Sequence, residues 1–163
     1  MRWILDANTM IYLIKANLQD FFLQLIQDPA IIDSSVHEEV VVQGIARGYL
    51  DAVAAKKFLE DNQVPIMPVD VSSDIINFKD AGETSCYILT KQGGACITSD
   101  TRAIKKLKIA GASCMQLDIF FLTKFLDNNF DETKLESLLD DLLRVNATTP
   151  ERKMQILKNA RKK

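Results

Sequence analysis

Asp6, Glu39, Glu83 and Asp100 are the residues whose types and positions point to chemistry in this chain. Each falls where an apolar run gives way to a helical pattern. Asp6 closes Trp3-Ile4-Leu5, and Asp100 follows Ala95-Cys96-Ile97-Thr98. Glu39 stands in the first turns of the helix after Ile31-Ile32-Asp33, and Glu83 in the first turn of a helix opened by Asp80. In a parallel α/β fold such positions lie along one edge of the sheet, where ligands bind. Four carboxylates from distant parts of the chain are therefore expected in one cleft. Gathered carboxylates repel, and one stays protonated unless a cation compensates. Hard oxygen ligands suit Mg²⁺ or Mn²⁺. Such ions activate water and stabilise the attacking and leaving oxygens at phosphorus. The chemistry implied is metal-dependent hydrolysis of a phosphodiester.

Each acid also has an ordinary structural reading. Asp80-x-x-Glu83 has the spacing of a capping box, and Asp100 is placed as an N-cap. Glu39, beside Glu38, reads as a solvated helix residue. A carboxylate ending an apolar first strand is harder to assign to structure alone, so Asp6 carries the most weight. His37 is the single histidine. That excludes His-pair metal motifs and disfavours a Ser-His-Asp triad; His37 reads as a surface or capping residue. The glycines form no Walker or dinucleotide fingerprint.

The elements that must position the acids are legible as alternating strands and helices. Strands are predicted at Trp3-Ile4-Leu5, Ile31-Ile32-Asp33, Ile66-Met67-Pro68-Val69, Ala95-Cys96-Ile97-Thr98 and Ser113-Cys114-Met115. Between them run helical patterns, one opened by a Ser35–Glu38 capping box and continuing through about Ala46. Helices are also predicted over Leu117–Leu126 and Glu132–Leu143, and over a basic tail opened by Thr149-Pro150. Strand-then-helix alternation predicts an α/β class with a parallel sheet covered on both faces.

The 163 residues suit one domain with a real core. The net charge of −2 advertises no nucleic-acid binding, but the mean hides a split. Residues 144–163 hold seven cations against Glu151 alone, so they carry +6 and the rest of the chain −8. The tail reads as an RNA contact, a partner contact or a plain amphipathic helix. Arg102, Lys105, Lys106 and Lys108 follow Asp100 and suit either phosphate contacts or an exposed helix face. Cys86, Cys96 and Cys114 are odd in number with no CxxC pairing, which predicts free buried thiols and a reducing cytoplasmic setting. Only Cys86 is expected near the cleft. No signal peptide and no membrane span are expected.

At the acidic residues the sequence resembles the PIN-domain nucleases. Leu5-Asp6-Ala7-Asn8-Thr9-Met10-Ile11-Tyr12 resembles that family's opening strand, with its metal-binding Asp and a small polar residue two places on. Val36-His37-Glu38-Glu39-Val40 is similar to the second motif; Glu39 rather than Glu38 is aligned because an apolar residue follows the family Glu. Asp80-Ala81-Gly82-Glu83-Thr84-Ser85-Cys86-Tyr87-Ile88-Leu89 resembles the Gly-Glu helix motif of one subgroup. Ile97-Thr98-Ser99-Asp100-Thr101-Arg102-Ala103 resembles the closing Thr-x-Asp motif.

The resemblance covers about residues 2–115, in the right order. It implies a three-layer PIN-like fold, with residues 1–128 as nuclease domain and 129–163 as a C-terminal helical extension of that domain. It implies a metal-dependent endoribonuclease whose Mg²⁺ or Mn²⁺ is held by Asp6, Glu39, Glu83 and Asp100, directly or through water. Asn8 and Thr101 are then supporting residues, and Asp80 and Asp118 further carboxylate candidates. In-line attack of water would expel the 3′ oxygen and leave 5′-phosphate and 3′-hydroxyl ends on RNA. Many family members are toxins held by an antitoxin protein, and many form homodimers, so both partners are expectations of the resemblance. A processing or decay ribonuclease is the nearest rival. Two readings of other classes stay open: a non-catalytic nucleic-acid or protein-binding module, and a phosphatase with Asp6 as nucleophile. The second wants an Asp where Asn8 stands.

Overall fold

The computed structural model describes residues 1–72, 74 and 78–162. It is an α/β fold built on one five-stranded sheet. The strands are β1 (Arg2–Leu5), β2 (Ala30–Asp33), β3 (Ile66–Met67), β4 (Gly94–Ile97) and β5 (Cys114–Met115), all parallel in the order β3-β2-β1-β4-β5. This is the three-layer arrangement that the strand–helix alternation and the PIN-like motifs lead one to expect.

Side-chain alternation divides the sheet into two buried faces. Trp3, Leu5, Ala30, Ile32, Ala95 and Ile97 belong to the larger core. Covering them are α1 (Ala7–Lys15), α2 (Gln19–Leu25) and α5 (Leu50–Asp61), which contribute Leu13, Phe22 and Phe58. The same core takes in α8 (Leu117–Leu126), α9 (Glu132–Arg144) and α10 (Pro150–Ala160) through Phe120, Leu138 and Ile156. Trp3 meets Phe120 edge-on at 5.2 Å, which locks the first strand to α8. Ile4, Ile31, Cys96 and Cys114 point the other way, into a smaller core with Cys86 and Leu89 of α6 (Ala81–Lys91) and Leu107 of α7 (Thr101–Ile109).

Two predicted elements differ in detail. The strand expected over residues 66–69 pairs only at Ile66 and Met67, opposite Ile32 and Asp33. Pro68 has no N–H to extend the ladder. The expected capping box of Ser35 and Glu38 gives way to Asp33, whose carboxylate accepts the Ser35 N–H at 2.6 Å. The helical run that follows is broken into α3 (Ser34–His37), a π-helical turn (Glu38–Gln43) and α4 (Gly44–Ala46). Val40-Val41-Val42 is a β-branched run with weak helix preference, and the wider turn inserts one extra residue there. Gly44 then lets α5 approach closely: a Cβ on it would lie 2.6 Å from the Ala52 Cβ.

The basic tail is part of the fold. Thr149 caps α10 by accepting the Arg152 N–H, and Ile156, Leu157 and Ala160 are buried. Its cations answer acids of the preceding helices: Arg161 bonds Glu132 at 2.6 Å, and Lys153 pairs with Glu136 and Asp140. Arg152 clasps Asp118 with two bonds, of 2.8 and 2.7 Å. Among the described residues, no helix is long and apolar enough to cross a membrane.

Candidate functional site

The chain order β1, β2, β3 runs outward from β1 on one side, while β4 pairs on its other side. The order in which the chain adds strands therefore reverses between β1 and β4, and a crevice opens beyond the C-terminal ends of strands at such a point. A cleft of about 390 Å³ lies here. It is lined by Asp6, Asn8, Glu39, Asp80, Glu83 and Asp100, with Ser35, Thr98 and Cys86 among its other walls. Residues from four separate stretches of sequence are thus brought to one place by the parallel topology.

Local folding explains each position. Asp6 ends β1 and caps α1, accepting the Thr9 N–H at 2.7 Å. Asp80 caps α6 through the Glu83 N–H at 2.8 Å. Asp100 caps α7 through the N–H groups of Arg102 and Ala103 at 2.7 and 3.1 Å. The capping reading and the cleft reading of these acids are therefore compatible: each cap uses one carboxylate oxygen, Oδ1, and a carboxylate has a second to give. Glu39 reaches the cleft from the π-helical turn; Glu38 is not among the lining residues.

Asp6 is under opposing electrostatic influences. Burial pushes its carboxyl above the ordinary value, hydrogen bonds from Thr98 and Thr9 pull it back, and the negative charge of Asp100 pushes it up again. The Leu5–Ile97 pairing brings Asp6 to the Thr98 side of β4. Thr98 is 1% exposed, and its hydroxyl oxygen also accepts the Asp100 N–H at 3.2 Å. Ser99, between Thr98 and Asp100, has a buried Oγ with no hydrogen-bond partner.

Glu83 is differently engaged. Its Oε2 accepts from Lys106 Nζ at 2.7 Å, joining α6 to α7. Among the described residues, no three histidine, cysteine or acidic side chains stand as a ready ligand group for a metal ion. The donors are nevertheless of the right kind for a hard cation: carboxylates, an amide and hydroxyls, with a like-charge strain at Asp6 and Asp100 that a cation would relieve.

The expected supporting pair is half placed here. Asn8 lines the cleft, whereas Thr101 is exposed and absent from the lining. Thr98 lines the cleft instead, because it follows the Ile97 that pairs with Leu5 of β1; the signal for it was a polar residue closing an otherwise apolar strand. Asp118 is not a cleft acid. It is buried under α10, held by Arg152 and by the Thr148 hydroxyl at 2.7 Å. Asp33 closes β2 as Asp6 closes β1, yet it is spent on capping α3. All three cysteines are free and buried, and hydrogen bonding to Cys86 together with burial holds the Cys96 thiol well above its ordinary range, which suits packing rather than reactivity.

No protein-family model matches the chain, and no curated protein matches it. What this cleft can do follows from its side chains.

Proposed function

We propose that this chain is a metal-dependent endoribonuclease that hydrolyses RNA phosphodiesters in the cleft at the ends of β1 and β4. The observation that carries the reading is the shared cleft of Asp6, Glu39, Glu83 and Asp100. These four would hold Mg²⁺ or Mn²⁺, with Asp80 at the rim. Bound there, such an ion supplies an activated water and charge stabilisation at the attacking and leaving oxygens. Thr98 fixes Asp6 and Asp100 relative to each other, and Asn8 offers an amide to water or substrate. Arg102, Lys105 and Lys108 on α7 provide cations for the RNA backbone.

The likeness of the motifs to PIN-domain nucleases adds to this reading, and with it the role of a toxin, an antitoxin protein as partner and a homodimer. Three free buried thiols suit a reducing cytoplasmic setting. The test is cleavage of a labelled single-stranded RNA with Mn²⁺ by Asp6→Asn, Glu39→Gln, Glu83→Gln and Asp100→Asn. Each should fall by roughly a hundredfold or more, as loss of a metal ligand does. Undiminished cleavage by all four removes the site assignment.

One observation favours a second reading, a non-catalytic binding module: the Lys106 ammonium satisfies Glu83 without any ion. That reading expects RNA binding with no cleavage and no heat on Mn²⁺ titration.

A further inference from the structure

We propose that Lys106 is a resident competitor for the cleft's cation: its ammonium holds Glu83 until a divalent ion takes that carboxylate, and the exchange sets the ion affinity. This rests on the reading of the cleft as a cation site.

The geometry is specific to one lysine. Four cations lie on α7, namely Arg102, Lys105, Lys106 and Lys108. Among the described residues, Lys106 alone of these forms an ion pair with a cleft carboxylate, at 2.7 Å. Its Nζ also donates to the Phe78 carbonyl at 3.4 Å, so the ammonium is held at two points next to the start of α6. Glu83 is the more enclosed partner, with 14% of its side chain exposed against 47% for Lys106. The carboxylate is thus a fixed element of the cleft wall, and the ammonium is the end that can leave.

Two consequences follow from charge and mobility. A carboxylate oxygen bonded to an ammonium is withheld from any other cation, so an incoming ion must displace the lysine. The pair is partly exposed and of modest strength, and its lysine sits on a flexible four-carbon stem, so displacement is within reach of a divalent ion. The released ammonium stays tethered to the helix that Asp100 caps.

The experiment is a calorimetric Mn²⁺ titration of the full chain and its variants Lys106→Met, Lys105→Met, Glu83→Gln and Glu83→Gln/Lys106→Met. Lys106→Met should bind Mn²⁺ about two- to fivefold more tightly than the unaltered chain, the range a partly exposed ion pair commands. Lys105→Met removes the same charge from the same helix without touching Glu83 and should change affinity less. In the Glu83→Gln background the gain from Lys106→Met should vanish, since the pair is already broken. Affinity unchanged or weakened in Lys106→Met, a gain matched by Lys105→Met, or a gain that persists without Glu83 overturns the competitor role while leaving the cation site standing. Absence of Mn²⁺ heat in every protein, Lys106→Met included, overturns the cation site and the competitor together.

Discussion

The Thr98 hydroxyl stands by the carboxylate of Asp6 at the end of the Leu5–Ile97 pairing and favours its charged form. The same hydroxyl accepts the Asp100 N–H, so one side chain connects two acids whose charges repel. Thr98→Val keeps the shape and removes the hydroxyl. Asp6 then loses a bond that favours its charged form, and its carboxyl moves further up. The acid limb of the pH–rate profile for RNA cleavage should shift to higher pH. An acid limb that stays in place would show that Asp6 does not govern it. The lost hydrogen bonds should also lower stability by about 1–2 kcal/mol, measurable by urea unfolding.

Asp6→Asn is expected to separate stability from activity. The folded carboxyl sits above its ordinary value of 3.8, chiefly through burial. Between 3.8 and that higher value the folded chain binds more protons than the unfolded one, so Asp6 makes stability fall as pH rises through this window. Above it the charged Asp6 is a standing cost. Asparagine removes the charge and is as good an N-cap for α1. The urea midpoint of Asp6→Asn should therefore exceed that of the unaltered chain at pH 7, with the difference closing as pH falls to 3.8 and below, while cleavage is lost. A lower midpoint at pH 7 would contradict the burial argument.

The clasp between Asp118 and Arg152 is expected to hold the C-terminal helix in place. Asp118 is 0% exposed, and Arg152→Met would leave its carboxylate with the Thr148 hydroxyl and its own helix amide alone. Breaking one side of a buried ion pair costs about 3 kcal/mol or more, because a desolvated charge remains. The melting temperature should fall by roughly 6–12 °C for a chain of this size. Asp118→Asn/Arg152→Met, which removes both charges, should recover part of the loss; no recovery would mean that packing, not charge, dominates.

Gly44→Ala tests the seat of Glu39. The added Cβ would lie 2.6 Å from the Ala52 Cβ, so α4 and α5 must separate. Overpacking of this kind costs about 1–3 kcal/mol. Gly44→Ala/Ala52→Gly restores the clearance and should regain more stability than Ala52→Gly alone would suggest. Additive losses in the double variant would place the strain elsewhere.

What could be read in advance divides along sequence distance. Asp6 and Asp100 close apolar runs and cap the next helices, and both marks are local, so strand ends and caps were visible residue by residue. The π-helical turn left no mark, because Val40-Val41-Val42 is apolar under either helical winding. The short β3 follows from Pro68, a local signal that apolar periodicity outweighed. Lys106 and Glu83 are 23 positions apart, and Asp118 and Arg152 are 34 apart. Pairs of that kind are set by how layers stack, and no spacing rule encodes them. This is why an acid that lines the cleft and a buried structural acid looked alike as candidates.

The two faces of the sheet are unequally backed. Helices α1, α2, α5, α8, α9 and α10 anchor one side in the larger core, whereas Glu83, Asp100 and Lys106 ride on α6 and α7, backed by the smaller one. Local opening is cheapest where the least apolar surface is buried. Amide protons of α6 and α7 should therefore exchange with deuterium ahead of the β1–α1 unit that carries Asp6. The cleft then has one wall set on a heavy foundation and the other on a light one, and the slower-exchanging wall is the one that carries Asp6.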